Sequence, residues 1–316
     1  MTRPFLGLLR RLYPTGYRAA HGEEIVAVFA ESVRHADRRT AVREWAVLAA
    51  HALRLRARLS SRDPAGRVLA GAAPFLVAGG AALGAVQLLT MLLTRGTHDI
   101  PAALDVAHAA PLVLALLCAL LGRWAPARVL VLLAVVTAQF GADAESIGAT
   151  SLLGVWAVVG ALVLLAPPDA VGLSRRDRTR LVAAATAVAL PMIGVAALWL
   201  GVWAEDYAAV LFPPIAQTPI DTSLAWPAVV MAVAYLLHLA DPGTDRLRAV
   251  GVALAALPWA AMVAPPLYRN APAEPRDLLR DAVVVLGFLA AATVIGLRRR
   301  NRLAGAGRGG AAGPLL

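Results

Sequence analysis

Apolar residues form long unbroken runs from Val68 onward and narrow periodic stripes before it. The first run, Val68 to Leu93, carries no charged residue. At about 1.5 Å rise per residue, a helix of that length outreaches the roughly 30 Å hydrocarbon core of a bilayer and spans it with some tilt. Seven further runs follow at about 103–121, 125–140, 147–166, 181–203, 224–240, 249–264 and 282–297. The pattern predicts an all-α fold, a polytopic membrane helix bundle of about eight transmembrane helices. The third run is the weakest, apolar without interruption only from Val129 to Phe140. A dip into the membrane and back is the alternative there, and it would put the four arginines of 175–180 outside.

Before Val68 the apolar positions recur at helical spacing. Phe5, Leu8, Leu9 and Leu12 predict a short helix stopped by Tyr13-Pro14. A second helix is expected near His21-Gly22-Glu23-Glu24, with both glutamates at the positive end of its dipole and Ile25, Val28, Phe29 and Val33 on one face. A third is expected from Thr40 as N-cap, with Val42, Trp45, Leu48, Ala49, Ala52 and Leu53 as its stripe. Stripes this narrow predict helices that pack on one another and on the bilayer face. The expected organisation is a cytosolic amphipathic helical module (1–60), a basic juxtamembrane linker (61–67), the transmembrane bundle (68–297) and a basic, Gly-rich cytosolic tail (298–316). Arg3, Arg10 and Arg11 interrupt the apolar residues of Met1 to Pro14, which lacks the core of a signal peptide, so this end is expected to stay in the mature protein.

Charge fixes the expected orientation. The formal net charge is +10, and all 30 cationic side chains are arginine. Arginine without lysine, beside abundant Ala, Gly and Pro, is the composition of a GC-rich bacterial coding sequence. With the N-terminus inside, 26 arginines fall on the cytosolic side and only Arg95, Arg269, Arg276 and Arg280 outside. That asymmetry predicts a multi-pass protein of the bacterial inner (plasma) membrane with both termini cytosolic. It also accounts for a basicity that would otherwise suggest nucleic acid, and no nucleic-acid partner is expected. Arg54, Arg56, Arg58, Arg62 and Arg67 form a juxtamembrane basic run, candidate contacts for anionic lipid worth about 1 kcal/mol each near the surface. Trp199, Trp203 and Trp226 fall near the outer ends of their runs, where an aromatic belt would place them.

Leu12-Tyr13-Pro14-Thr15-Gly16-Tyr17-Arg18 followed by His21-Gly22-Glu23-Glu24-Ile25 resembles the N-terminal motif of a family of uncharacterised actinobacterial integral membrane proteins. It is also similar to the module that opens some bacterial ABC-type permeases. The resemblance covers about 25 residues and implies a cytosolic helical docking element, with no catalytic residue to carry over. Tyr13, Pro14, Tyr17, Arg18, Glu23 and Glu24 are the candidate docking corner, with Arg18 expected to meet a glutamate. The expected role is non-enzymatic: a docking module coupled to a bundle, serving a regulatory or envelope-associated partner. The alternative is a small-molecule permease or an ABC-type permease subunit.

Candidate chemistry is sparse, and no cofactor or metal is expected. His98, Asp99, Asp105 and His108 gather polar ligands near the outer start of the second run, short of a complete tetrahedral set. Tyr235 and His238 stand three apart near an inner end, suited to interfacial anchoring or, less so, to a proton path. Gln87 and Gln139 are the remaining polar side chains within spans. Gly305-Ala306-Gly307-Arg308-Gly309-Gly310 has the letters of a dinucleotide loop without a strand before it or a helix after it. The lone Cys118 sits in an apolar run and reads as packing. Gly80 and Gly84 have the spacing for close helix approach, and Pro74, Pro111, Pro191, Pro227 and Pro258 read as kinks that a membrane bundle tolerates. Asp105 and Pro111 mirror Asp221 and Pro227, and Ser61-Arg62-Asp63 loosely mirrors Ser174 to Asp177, as two parallel four-helix halves would. Residues 205–223 read as a stiff, acidic outer loop.

Overall fold

The computed structural model describes residues 12–34, 36–93, 102–141, 147–204, 213–241, 245–261, 287, 290–291, 294–299 and 301–302. Helix is the only regular secondary structure among them, so the fold is all-α. The chain divides into two units, Met1–Arg67 and Val68–Leu316.

In the first unit, α1 spans Thr15–Ser32 and α2 spans Arg38–Arg56. Pro14 holds an extended backbone (φ −55°, ψ 148°) and its carbonyl accepts the Arg18 N–H at 2.9 Å, so the helix starts immediately after it. The expected start at His21–Glu24 is therefore two turns late. A proline locked near φ −65° sets up a helix entry more firmly than a carboxylate does, and Gly22 is carried through mid-helix. Glu23 and Glu24 consequently lie away from the positive helix end. The start of α2 also shifts: Asp37 is the N-cap, and its Oδ1 accepts the N–H of Thr40 at 3.2 Å. Thr40 thus sits inside the first turn. At the far end of α2, Arg58 adopts φ 53°, with Leu59 N–H bonded to Arg54 O at 2.8 Å and Arg58 N–H to Leu55 O at 3.2 Å. This is the Schellman closure that glycine usually makes, here built with a side chain. Phe29, Tyr13, Ala41 and Ala52 form the small core of the unit. A turn follows in which the N–H and Oγ–H of Ser60 both donate to Asp63 Oδ2, at 3.1 and 2.6 Å, directly ahead of α3.

The second unit is organised around α3 (Pro64–Leu93), where every residue from Leu69 to Ala82 is buried. Around it lie α4 (Ala102–Leu120), α6 (Ile147–Leu165), α8 (Pro213–Ala240) and α9 (Arg246–Ala261). Glycines set the contacts. A Cβ on Gly84 would stand 2.8 Å from the Ala109 carbonyl oxygen of α4. On the α9 side, a Cβ on Gly251 would collide with the Val68 carbonyl and one on Gly79 would meet the Trp259 indole nitrogen at 2.9 Å. Gly80 meets Leu112 and Trp156 at 3.5 Å, ordinary packing distance. Phe75 stands edge-on to His238 of α8, ring centroids 5.4 Å apart.

The remaining helices close the unit pairwise. α4 turns into α5 (Trp124–Gly141) through Gly122 at φ 76°, with Arg123 N–H bonded to Cys118 O at 2.8 Å. The two helices run antiparallel, as His108 Nδ1 meets Ala134 O at 2.8 Å and the Thr137 hydroxyl donates to Ala107 O at 3.2 Å. α5 is one unbroken helix, with no re-entrant turn. α7 (Arg175–Ala204) opens with a capping box: Ser174 N–H and Oγ–H donate to Asp177 Oδ2 at 3.1 and 2.7 Å, and Asp177 N–H donates to Ser174 Oγ at 3.2 Å. It pairs with α8 through Trp226 Nε1–H, which donates to Ala187 O at 2.7 Å. α3, α4, α7 and α9 run through Pro74, Pro111, Pro191 and Pro258 without ending.

Three expectations change here. Residues 213–223, read as a stiff loop, belong to α8, because paired prolines suit the first turn of a helix. The serine–aspartate turns ahead of α3 and α7 match in bonding, through Ser60 rather than Ser61. They differ in register: the helix follows Asp63 in one and Ser174 in the other. Finally, α3 is the single helix among the described residues long and apolar enough to cross a membrane, with mean hydropathy 1.9. The apolar stretches Val106–Leu120, Trp124–Gln139, Leu153–Leu165 and Trp226–Ala240 are shorter.

Gly84→Ala and Gly251→Ala are expected to destabilise by about 1–3 kcal/mol each, because a methyl group there must displace backbone. Gly80→Ala should leave the midpoint of thermal unfolding of the purified protein nearly unchanged. Equal shifts for all three variants would show that glycine contacts do not set the packing of α3.

Candidate functional site

The predicted docking corner is a packed aromatic joint. Tyr13 is 2% exposed, stacks on Tyr17 at 5.4 Å between centroids, and its hydroxyl reaches the Leu48 carbonyl of α2 at 3.4 Å. Tyr17 stands 4.9 Å from the His21 ring, and the His51 ring lies 6.0 Å from Tyr13 and 6.3 Å from Tyr17. Pro14 makes this possible. It ends the preceding turn, starts α1, and leaves Tyr13, Tyr17 and His21 on one side, since residues four apart share a helix face. Burial pushes the Tyr13 phenol above its ordinary pKa, with Tyr17 adding to the rise and Arg54 opposing it.

The ion pair expected at this corner does not form. Along one continuous helix, Glu23 and Glu24 are five and six residues from Arg18, off the three- and four-residue spacings that meet. Glu24 instead approaches His21 Nδ1 at 3.5 Å. The joint is aromatic and apolar, with Arg18 and Glu23 beside it.

The five arginines between Arg54 and Arg67 split into distinct roles. Arg54 and Arg56 occupy the last turn of α2, where cations complement the negative end of the dipole. Arg58 holds the left-handed closing position, and Arg62 is exposed. The Arg67 N–H bonds to Asp63 O at 3.0 Å in the first turn of α3. The Asp63 carboxyl is held below its ordinary pKa first by its bonds to Ser60, with Arg58 assisting, and that of Asp37 first by its bonds to Thr40.

In the second unit, interhelix contacts gather arginines at one end. Asp241, at the end of α8 and 16% exposed, takes Arg176 Nη1 at 3.0 Å and Arg180 Nη2 at 2.7 Å from the start of α7. Arg248 of α9 donates to Ala170 O at 2.8 Å, and Arg299 to Leu239 O at 3.3 Å. A Cβ on Gly122, in the α4–α5 turn, would meet Arg178 Nη2 at 3.9 Å. The starts of α7 and α9 and the ends of α4 and α8 therefore share one basic rim. Sequence reading missed Asp241 as its organiser: more than 60 residues separate it from its partners. The His51 ring of the joint was missed for the same reason.

Two other candidates, His108 and His238, resolve into packing. His108 bonds Ala134 O and stands edge-on to Trp156 at 4.9 Å, which in turn is edge-on to Trp259 at 5.7 Å. His98 and Asp99 lie outside the described residues, as do the side chains of Asp105, Trp199 and Trp203. No group of metal-binding side chains occurs among the described residues. His238, 6% exposed, has Nδ1 on its own-turn Ala234 carbonyl at 2.8 Å rather than on Tyr235. Residues 305–310 also lie outside the described residues.

Tyr13→Ala should open residues 1–60 to protease several-fold more than Arg18→Ala, since it removes a buried ring and exposed charge pairs are worth only about 0–1 kcal/mol. Limited proteolysis of the purified full-length variants measures this, and equal cleavage rates would sink the joint as a structural element. Acid should act on the same unit through Asp37 and Asp63. Their pKa values are lowered in the folded state, so their contribution is complete above the unfolded value of 3.8 and lost as pH falls through the lowered one. An Asp37→Asn, Asp63→Asn protein should therefore show a flatter loss of protease resistance on acidification than the parent. No family model, curated protein or solved structure matches this chain, which leaves its own residues to carry the reading.

Proposed function

We propose that this chain is a non-enzymatic integral membrane protein of the bacterial inner membrane, with about eight spans and both termini cytosolic. In this reading residues 1–60 are a docking module for a regulatory or envelope-associated partner, coupled to the bundle. The resemblance of the Tyr13–Glu24 segment to actinobacterial membrane proteins and ABC-type permease modules points the same way.

One observation carries the membrane reading: large aliphatic side chains cover the outside of the second unit on helix after helix, over a core that mixes alanine with Leu76, Leu181, Trp156 and Trp259. Ala72, Ala73, Ala78, Ala109, Ala115, Ala127, Ala134, Ala249 and Ala255 are fully buried. Leu114, Leu117, Val129, Leu133, Val158, Leu190, Leu237 and Leu257, spread over six helices, are exposed. In water such a surface is an aggregation liability over its whole circumference, whereas in lipid it is the solvated side. Gathering Arg123, Arg175, Arg176, Arg178, Arg180, Arg246 and Arg248 at one end supports the positive-inside orientation. The unbroken burial of Leu69 to Ala82 in α3 supports a coupling and docking role over a central substrate path.

Reporter fusions at Gly141 and Leu211 are expected to read outside, and one at Gly243 inside. A cytosolic signal at Leu211 would overturn the orientation, and release of the protein by alkaline carbonate would overturn the membrane reading itself.

A further inference from the structure

The outward face of α2 carries an exposed apolar stripe. Val42, Ala46, Ala50 and Leu53 recur along it at three- and four-residue spacing, with Val42 54% and Leu53 58% exposed. The opposite face holds the buried Ala41 and Ala52 and the Leu48 carbonyl that takes the Tyr13 hydroxyl. The inner face is thus already occupied, and among the described residues of the unit nothing covers the outer stripe. Cations border it on both sides, Arg43 on one and Arg38 and Arg56 on the other, with Arg39 at its N-terminal end, all exposed. Among the described residues no carboxylate pairs with Arg38, Arg39 or Arg43. The one acid inside α2, Glu44, falls on the other side of the helix, about 180° from the centre of the stripe at roughly 100° per residue. The acids Glu23, Glu24 and Glu31 lie on α1. At the N-terminal end of the stripe Asp37, Arg38, Arg39 and Val42 line an open depression of about 600 Å³, in which the Asp37 carboxylate is committed to capping Thr40.

Resting on the membrane reading above, we propose that α2 lies in the headgroup layer of the anionic leaflet. Val42 and Leu53 sink toward the acyl boundary, and Arg38, Arg39 and Arg43 contact phospholipid phosphates. The occupant is argued from charge: an apolar stripe bordered only by arginine fits an anionic lipid surface, the arrangement of interfacial helices. A protein partner of this site would have to supply acids on both sides of an apolar ridge. Tethering favours the lipid as well. Only residues 57–63 join α2 to α3, a span of at most about 25 Å, so the leaflet is always within reach. This places lipid contact on arginines other than the juxtamembrane five and assigns α2's outer side to the bilayer, leaving α1's acidic surface to the cytosol.

The test uses the full-length protein with Cys118→Ala and a single new thiol, Val42→Cys or, as a control on another side of the helix, Thr40→Cys. Each is labelled with an environment-sensitive fluorophore and reconstituted in phosphatidylcholine alone or with an equal part of phosphatidylglycerol. With phosphatidylglycerol, emission at position 42 should shift to the blue and be quenched by headgroup-level nitroxide lipid, while position 40 stays wet. Replacing Arg38, Arg39 and Arg43 by Gln should weaken the preference for anionic lipid roughly 100-fold, at about 5-fold per arginine. A probe at position 42 that stays water-exposed in both lipids overturns the proposal. So does one shielded equally in both lipids and beyond the reach of nitroxide lipid, which would assign the stripe to a protein surface. Carbonate extraction of the same samples separates these results from failure of the membrane reading: a released protein fails there, an embedded one with a wet probe fails only here.

Discussion

Backbone-to-backbone approach along α3 is the constraint on which the second unit depends. Gly84 against the Ala109 carbonyl, and Gly251 against Val68 and Ala72, bring α4 and α9 close enough that a single methyl group would not fit. Dispersion between atoms falls steeply with separation, so bundles held by contact rather than by water exclusion gain most from such proximity. The large rings fill what the glycines leave: Trp259 over Gly79, Trp156 beside Gly80, and Phe75 against His238. Hydrogen bonds then fix register where helices cannot slide, as at His108–Ala134 and Trp226–Ala187.

The first unit is built on a different principle. It is small, and its order comes from ends rather than from a deep core: Pro14 and Asp37 start helices, Arg58 closes one, and Asp63 ties off the turn before α3. A handful of large side chains, Tyr13 and Phe29 foremost, supplies the burial. Small units with little apolar area to bury lean on such local devices. The Arg58 backbone costs about 1–2 kcal/mol relative to glycine in that conformation, so its guanidinium is retained at some expense to the fold.

Most helices were legible because long apolar runs leave little choice of secondary structure, and each of α3 through α9 overlaps one of the runs. Their ends were less so. The α1 start was hidden because His21-Gly22-Glu23-Glu24 has the look of a helix entry, while the true signal, Pro14, also reads as a stop for what precedes it. The glycine pair in α3 predicted close approach, but only packing reveals that Gly84 takes the backbone contact and Gly80 a side chain. At the joint, Tyr13, Tyr17 and His21 are spaced by four and readable, whereas His51 joins them across α2. Asp241 with Arg176 and Arg180 is a contact between helix termini, which no local pattern encodes.

Close approach between helices also determines how such a sequence can change over time. An outward Leu or Val that packs on no neighbouring helix can become another aliphatic residue at little cost. An inward Ala or Gly is already at the size limit of its site, and growth there is resisted from several helices at once. Tolerance to enlargement is therefore lowest at the smallest packed residues, such as Gly71, Gly84, Ala109 and Gly251, whose spacing along the chain is the part of the sequence that the packing constrains most tightly.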